Sequence, residues 1–194
     1  VHAFYRVERD RVAVRYEVTF TIRERRTREL AFWLPNTTPE EISIDGLGVA
    51  VKEYAGKTIG DRRLWKLNLA ERQGGTVRIA VEFDQTHALE KETALLLPQL
   101  EADGVDYQSV LLAIENTPEL DIDVLRHPRP VDVGELSGAE YELGRRVVGA
   151  YGYTGAPVEV KIAVTQHQPI ALPSALVERA ELVTIVDPAS RAGK

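Results

Sequence analysis

The chain of 194 residues contains no cysteine and no methionine. Without thiols there is no disulfide framework, no thiolate zinc site and no thiol nucleophile. Long apolar runs are missing too. No stretch approaches the roughly 20 apolar residues of a membrane-spanning helix, and the first residues carry no signal-peptide core. Any export signal or anchor would lie outside these residues. Histidine is sparse: His2, His87, His127 and His167 are never three to five residues apart, no HExxH-type run occurs, and each is expected at the surface. No Gly-x-Ser-x-Gly elbow surrounds Ser43, Ser109, Ser137, Ser174 or Ser190, and Gly46-Leu-Gly48 lies between strands instead of ahead of a helix. Neither an acyl-transfer nucleophile nor a phosphate loop is indicated, and no cofactor is called for. A net charge of −6 argues against nucleic acid as the main partner, because such binding neutralises phosphates.

What the chain does have is alternation. Val12, Val14, Tyr16, Val18, Phe20 and Ile22 are apolar at every second position, so an extended backbone puts them all on one face. With 44% hydrophobic and 28% charged residues the composition is that of an ordinary globular domain. Strands are expected at 2–8, 11–24, 29–34, 41–44, 49–54, 63–70 and 76–84, then at 94–97, 109–115, 119–125, 141–151, 157–166 and 176–186. Arg9-Asp10 turns the first pair, Asp45-Gly46 fits a tight turn, and Gln73-Gly74-Gly75 is a hairpin signal that would pair 64–69 with 77–83. Short helices are admissible at 138–148 and 174–181. The expected fold is all-β, an antiparallel β-sandwich in two packed units, 1–88 and 89–194, with 86–93 as the boundary; one elongated sandwich is also admissible. The start at Val1, and a strand-like run Leu182–Val186 that meets Asp187-Pro188 and a polar tail, lead to the expectation of a domain from a longer protein.

Four clusters could carry chemistry. Residues 1–35 hold eight Arg against five acids, net +3, leaving 16 basic and 25 acidic residues elsewhere, net −9. Within that segment Arg23, Arg25, Arg26 and Arg28 form the densest positive patch, expected at a solvated hairpin tip. It could dock an acidic neighbouring domain, an anionic polysaccharide or a lipid headgroup. Glu119, Asp121 and Asp123 alternate with Leu120, Ile122 and Val124, so they share one strand face. With Glu101, Asp103 and Asp106 around Gly104 they offer hard oxygen ligands, and Asp103, Asp106, Asp121 and Asp123 are the candidate calcium ligands, without EF-hand spacing. The plainer reading of the strand acids is a charged edge that deters pairing. Tyr151 and Tyr153 point the same way in an extended stretch among Gly149, Gly152 and Gly155, and could stack on a sugar. Trp33 and Trp65 lie within strands and read as core.

Three fragments in order, Leu30–Pro35, Ile42–Gly46 and Val77–Phe83, resemble β-sandwich modules of large uncharacterised bacterial cell-envelope proteins. Tyr151–Val164, with Pro173 and Leu182–Val186 after it, also looks like such modules. The order is loosely similar to the N-terminal β-domain of gluzincin aminopeptidases, but no HExxH helix is present and no chemistry carries over. The resemblance implies an extracytoplasmic, multi-domain setting and no catalytic residues. The expected role is therefore a non-catalytic interaction module whose partners are neighbouring domains or another envelope protein. The alternative is a carbohydrate-binding module using Tyr151 and Tyr153 on a polysaccharide.

Overall fold

The computed structural model describes residues 1–88 and 92–167. The strands are β1 His2–Val7, β2 Arg11–Pro35, β3 Ser43–Leu47, β4 Val51–Ile59, β5 Arg62–Thr86, β6 Glu92–Leu97, β7 Glu101–Ala102, β8 Ser109–Asn116, β9 Leu120–Arg126, β10 Arg129–Pro130, β11 Val147–Thr154 and β12 Val160–Gln166. The fold is all-β and sandwich-like. Among the described residues the one helical element is a 3-10 turn at Val133–Leu136, so the helix admitted at 138–148 does not form. The helix at 174–181 and the strand at 176–186 lie outside the described residues.

Two strands of 25 residues organise the molecule. The runs 11–24 and 29–34 were expected to be joined by a turn, as were 63–70 and 76–84. Instead each pair is one continuous strand, and the two strands lie antiparallel along their length. Arg11–Ile22 pairs with Gly75–Thr86, and Glu29–Pro35 pairs with Arg62–Asn68. Between these arms the register shifts and recovers, at Thr27 against Gln73, and Gly75 takes a φ of 73° that favours glycine. Inside the bend, 23–29 and 70–76 supply no large apolar side chain, so nothing there draws the ribbon onto a core. Parity survives the bend. Even residues of β2, from Val12 to Phe20 and from Leu30 to Leu34, are buried, as are odd residues of β5 from Arg63 to Leu69 and from Val77 to Phe83. One face of the ribbon thus turns inward throughout, and the sheet must curl around what it covers.

The larger sheet runs β10-β11-β8-β1-β2-β5-β3, with β4 on the first half of β5 and β7 on the end of β2. It is mixed: β1 pairs antiparallel with β2 but parallel with β8, His2–Val7 against Leu111–Asn116. A second sheet, β6-β12-β9, is antiparallel and sends Leu97, Leu120, Val160, Ile162 and Val164 into the core that holds Tyr16, Phe32, Leu67 and Ile79. The division expected at 88/89 therefore does not separate two cores, because strands from both sides share the larger sheet and one buried cluster. The Asp45-Gly46 turn also moves: both residues lie in β3, and the positive φ of the turn belongs to Gly48, at 83°.

The outer face of this sheet carries a smaller cluster. Phe4, Ala113 and Ala150 pack with Leu136, Tyr141 and Leu143 from the segment between β10 and β11. Two buried carboxylates hold that segment down. Glu17 accepts from the Glu140 and Tyr141 backbone N–H groups at 2.8 Å each, and Glu115 accepts from Tyr141 Oη at 3.1 Å and Gly144 N–H at 2.5 Å. Arg15 and Arg78 lie 3.2 and 3.5 Å from Glu17, and the Tyr141 ring stacks on Phe4.

Candidate functional site

The bend of the ribbon gathers charge. Arg23, Arg25, Arg26 and Arg28 come from β2, and β5 adds Arg72, which sequence reasoning did not join to them because it lies over forty residues away. Against these five stand Glu24, Glu29 and Glu71. All five arginines are exposed. None makes an ion pair with a described side chain, whereas Arg11, Arg15, Arg62, Arg63, Arg78 and Arg126 each sit on a carboxylate. A groove of about 430 Å³ runs between Ile22, Arg25, Arg26 and the Glu71–Gly75 stretch. A Cβ on Gly74 would lie 3.2 Å from Arg26 Cγ, so the glycine lets the Arg26 stem cross the partner strand closely. The patch is thus a strand bend and not the hairpin tip expected.

A second concavity opens at the edge strand β4. It has a volume of about 580 Å³ and is lined by Glu40, Glu41, Ile42, Tyr54, Gly56, Thr58, Arg63 and Trp65. Gly56 pairs with Trp65 across the β4–β5 ladder, and a Cβ there would meet the indole at 3.0 Å. The missing side chain leaves room over the ring. Arg63 is buried; its guanidinium donates to the Thr38 and Pro39 carbonyls at 3.0 and 2.6 Å and to Thr58 Oγ1 at 3.3 Å. Its carboxylate neighbour, Glu40, lies 3.4 Å away with 90% of its side chain exposed. Trp65 is 4% exposed, and its Nε1–H has no hydrogen-bond partner among the described residues. The sequence signal for this cleft was a glycine inside an alternating strand, which commonly marks a close approach. It was missed because β4 was expected to stop at 54, before Gly56.

The tyrosine pair is not laid out as the sugar platform it could have formed. Tyr151 and Tyr153 do share a face, but both pack into the main core. Tyr151 lies beneath His127, ring centroids 4.6 Å apart, and folds back over Gly149, where a Cβ would come within 2.6 Å of its hydroxyl. Tyr153 donates to Gln99 Oε1 at 3.1 Å, and Gln99 Nε2 donates to Tyr5 Oη at 2.9 Å. Tyr5 and Tyr16 both donate to the Pro98 carbonyl at 2.6 Å. Burial pushes the Tyr5, Tyr16 and Tyr153 phenols well above their ordinary range, and the network braces the segment joining the two sheets. The flanking glycines serve this packing: Gly152 faces Leu111 and Val131 at 3.0 and 3.2 Å, and Gly155 takes a φ of 83°.

Trp33 reverses its expected place. It shares its strand with inward Phe32 and Leu34, so it points outward, half-buried, with the Arg62 guanidinium 5.4 Å above the ring. Asp103 accepts its indole N–H at 2.8 Å, which commits one of the candidate calcium ligands. Asp121 and Asp123 lie exposed on β9 in the second sheet, as their alternation required, and Asp121 is 3.0 Å from His167. Asp106 is exposed in the loop before β8. Among the described residues no three His or carboxylate side chains converge as a metal site would require, so the four aspartates are not brought together. Among those residues, too, no helix is long and apolar enough to cross a membrane. Compared with known proteins, the chain matches no family model and no curated sequence.

Proposed function

We propose that this chain is a non-catalytic interaction module of a larger bacterial exported or envelope protein, and that it docks an acidic neighbouring domain through its arginine bend. One observation carries the reading: five exposed guanidiniums, none of them ion-paired to a described side chain, sit together in a chain whose net charge is −6, while Arg11, Arg15, Arg62 and Arg78 along the same two strands each sit on a carboxylate. Like charges within a Debye length of about 8 Å repel, so holding them together favours an anionic surface that relieves the repulsion. The extracytoplasmic setting rests on the resemblance of 30–35, 42–46, 77–83 and 151–164 to envelope modules.

Poly-glutamate, alginate and anionic vesicles, titrated in parallel against the chain and against an Arg25→Ala, Arg26→Ala, Arg72→Ala variant, test the docking. The expected result is tightest binding to poly-glutamate, weakening steeply with salt and falling at least tenfold in the variant. Equal binding by the variant, or a preference for alginate or vesicles, overturns it.

A further inference from the structure

β4 lies at a margin of the larger sheet. It pairs with β5, and among the described residues no strand pairs with its other edge. Every residue from Lys52 to Ile59 is exposed. An open edge presents unpaired N–H and C=O groups to any strand that matches it, and natural edges commonly deter such pairing with charge. β3 does so, since an axis through its middle residue would set Asp45 against a second Asp45. β9, at the edge of the second sheet, presents Asp121 and Asp123 on one face.

β4 is built the other way. A two-fold axis normal to a sheet keeps each face on its own side, so a strand and its antiparallel copy oppose residues of equal parity. From Glu53 onward β4 alternates regularly: Tyr54, Gly56 and Thr58 lie opposite Leu67, Trp65 and Arg63, while Glu53, Ala55 and Lys57 lie opposite Asn68, Lys66 and Leu64. With the axis at Ala55, Glu53 of each copy meets Lys57 of the other, Tyr54 meets Gly56, and Ala55 meets itself. Asn68 Nδ2 steadies Glu53 by donating to it at 3.0 Å, and Lys57 has no ion pair with a described side chain. Axes at Glu53 or Lys57 oppose like charges, and axes at Tyr54 or Gly56 leave both charges unmatched, so charge selects this register. Shape agrees with it. The cleft of about 580 Å³ beside Gly56 leaves room for the facing Tyr54 ring, which is 39% exposed, and an aromatic ring opposite an edge glycine covers its bare backbone.

We propose that β4 is a homodimer interface, in which two copies join antiparallel, edge to edge, about a two-fold axis at Ala55. Each copy brings one β4, so the contact is isologous and closes at two chains. The surface is separate from the arginine bend. An interface built on one strand pair is small, so a Kd of about 10–100 μM is expected.

Sedimentation velocity of the full chain up to about 500 μM reads the association. Glu53→Lys and Lys57→Glu each set like charges opposite one another at both symmetric contacts, and each should weaken dimerisation at least tenfold at unchanged melting temperature, both positions being exposed. Mixed together, these two variants regain opposite charge at both contacts and should form a heterodimer within about threefold of the wild-type Kd. The Glu53→Lys, Lys57→Glu double variant should pair with itself as tightly. The arginine-bend variant should dimerise like the wild type, which keeps this interface distinct from the docking surface. A wild-type chain that stays monomeric to about 500 μM, a dimer indifferent to both single substitutions, or no heterodimer on mixing overturns the proposal.

Discussion

Glu17 offers the sharpest test of how the outer face is held. Its carboxylate is 3% exposed, and its two oxygens divide the work: Oε2 accepts the Glu140 N–H and Oε1 the Tyr141 N–H. Glu17→Ala strands both donors and leaves Arg15 and Arg78 without this partner. Hydrogen bonds to a charged group contribute about 1.5–3 kcal/mol each, and breaking a buried charged contact costs about 3–5 kcal/mol. Arg15 and Arg78 are a quarter and a third exposed, so water screens their share and the lower part of the range applies. A loss of about 3 kcal/mol is expected, or about 6–12 °C in melting temperature for a chain of this size. Glu17→Gln keeps one acceptor oxygen and should lose about half as much.

Glu115 grips the same segment at Tyr141 and Gly144, so the two carboxylates act on one element. The Glu17→Ala, Glu115→Ala pair should cost less than the sum of the singles, by about 1 kcal/mol, because the segment detaches once. Urea midpoints give the energies, and amide hydrogen exchange at Glu140 and Tyr141 reports the detachment. A Glu17→Ala protein within about 0.5 kcal/mol of wild type, with those amides still protected, would refute the reasoning.

A single core predicts that Leu67→Ala, in β5, and Ile162→Ala, in β12, each cost about 2–5 kcal/mol and lower the same unfolding midpoint; two transitions, each moved by one substitution, would contradict it. The buried phenols set an alkaline limit. Folded Tyr5, Tyr16 and Tyr153 keep their protons above the ordinary value of 10, while the unfolded chain releases them, so stability is full below pH 10 and falls as pH rises beyond it. Three such groups give a slope of up to about 4 kcal/mol per pH unit, read by urea unfolding between about pH 9 and 12, and Tyr16→Phe should flatten it. A level profile across that range would show that the phenols ionise alike in both states.

Much of the strand inventory was legible because a sheet with one buried face writes its period into the sequence. The parity of Val12 to Phe20, of Val77 to Phe83 and of Leu120 to Val124 matches burial residue by residue. Trp33 was legible too, since a residue between Phe32 and Leu34 must face away from them; its large apolar ring argued for the core and parity argued against, and parity decides. The tyrosines stayed ambiguous for the opposite reason. Alternation says that Tyr151 and Tyr153 share a face, but which face depends on β8, their neighbour, and a local reading contains no partner. The same holds for Gly56, whose meaning appears only opposite Trp65.

The bend shows where local reading ends and a longer-range one could have gone further. Taken alone, 23–28 between two apolar runs reads as a turn, and Gln73-Gly74-Gly75 reads as a better one. Both turns would make hairpins, each satisfying alternation within itself. The spacing breaks the tie. From Ile22 to Leu30 is eight residues, and from Leu69 to Val77 is eight again, so two strands interrupted by equal polar gaps can pair through both arms with every apolar side chain on one face. Two separate hairpins offer the same alternation but divide that surface between two smaller cores, whereas the continuous ribbon curls it around one. Burial favours the larger enclosure, since covering each additional large aliphatic side chain is worth about 1.5–3 kcal/mol. The polar gaps must then fall together at the bend, which is why arginines from positions 23–28 and 72 meet there.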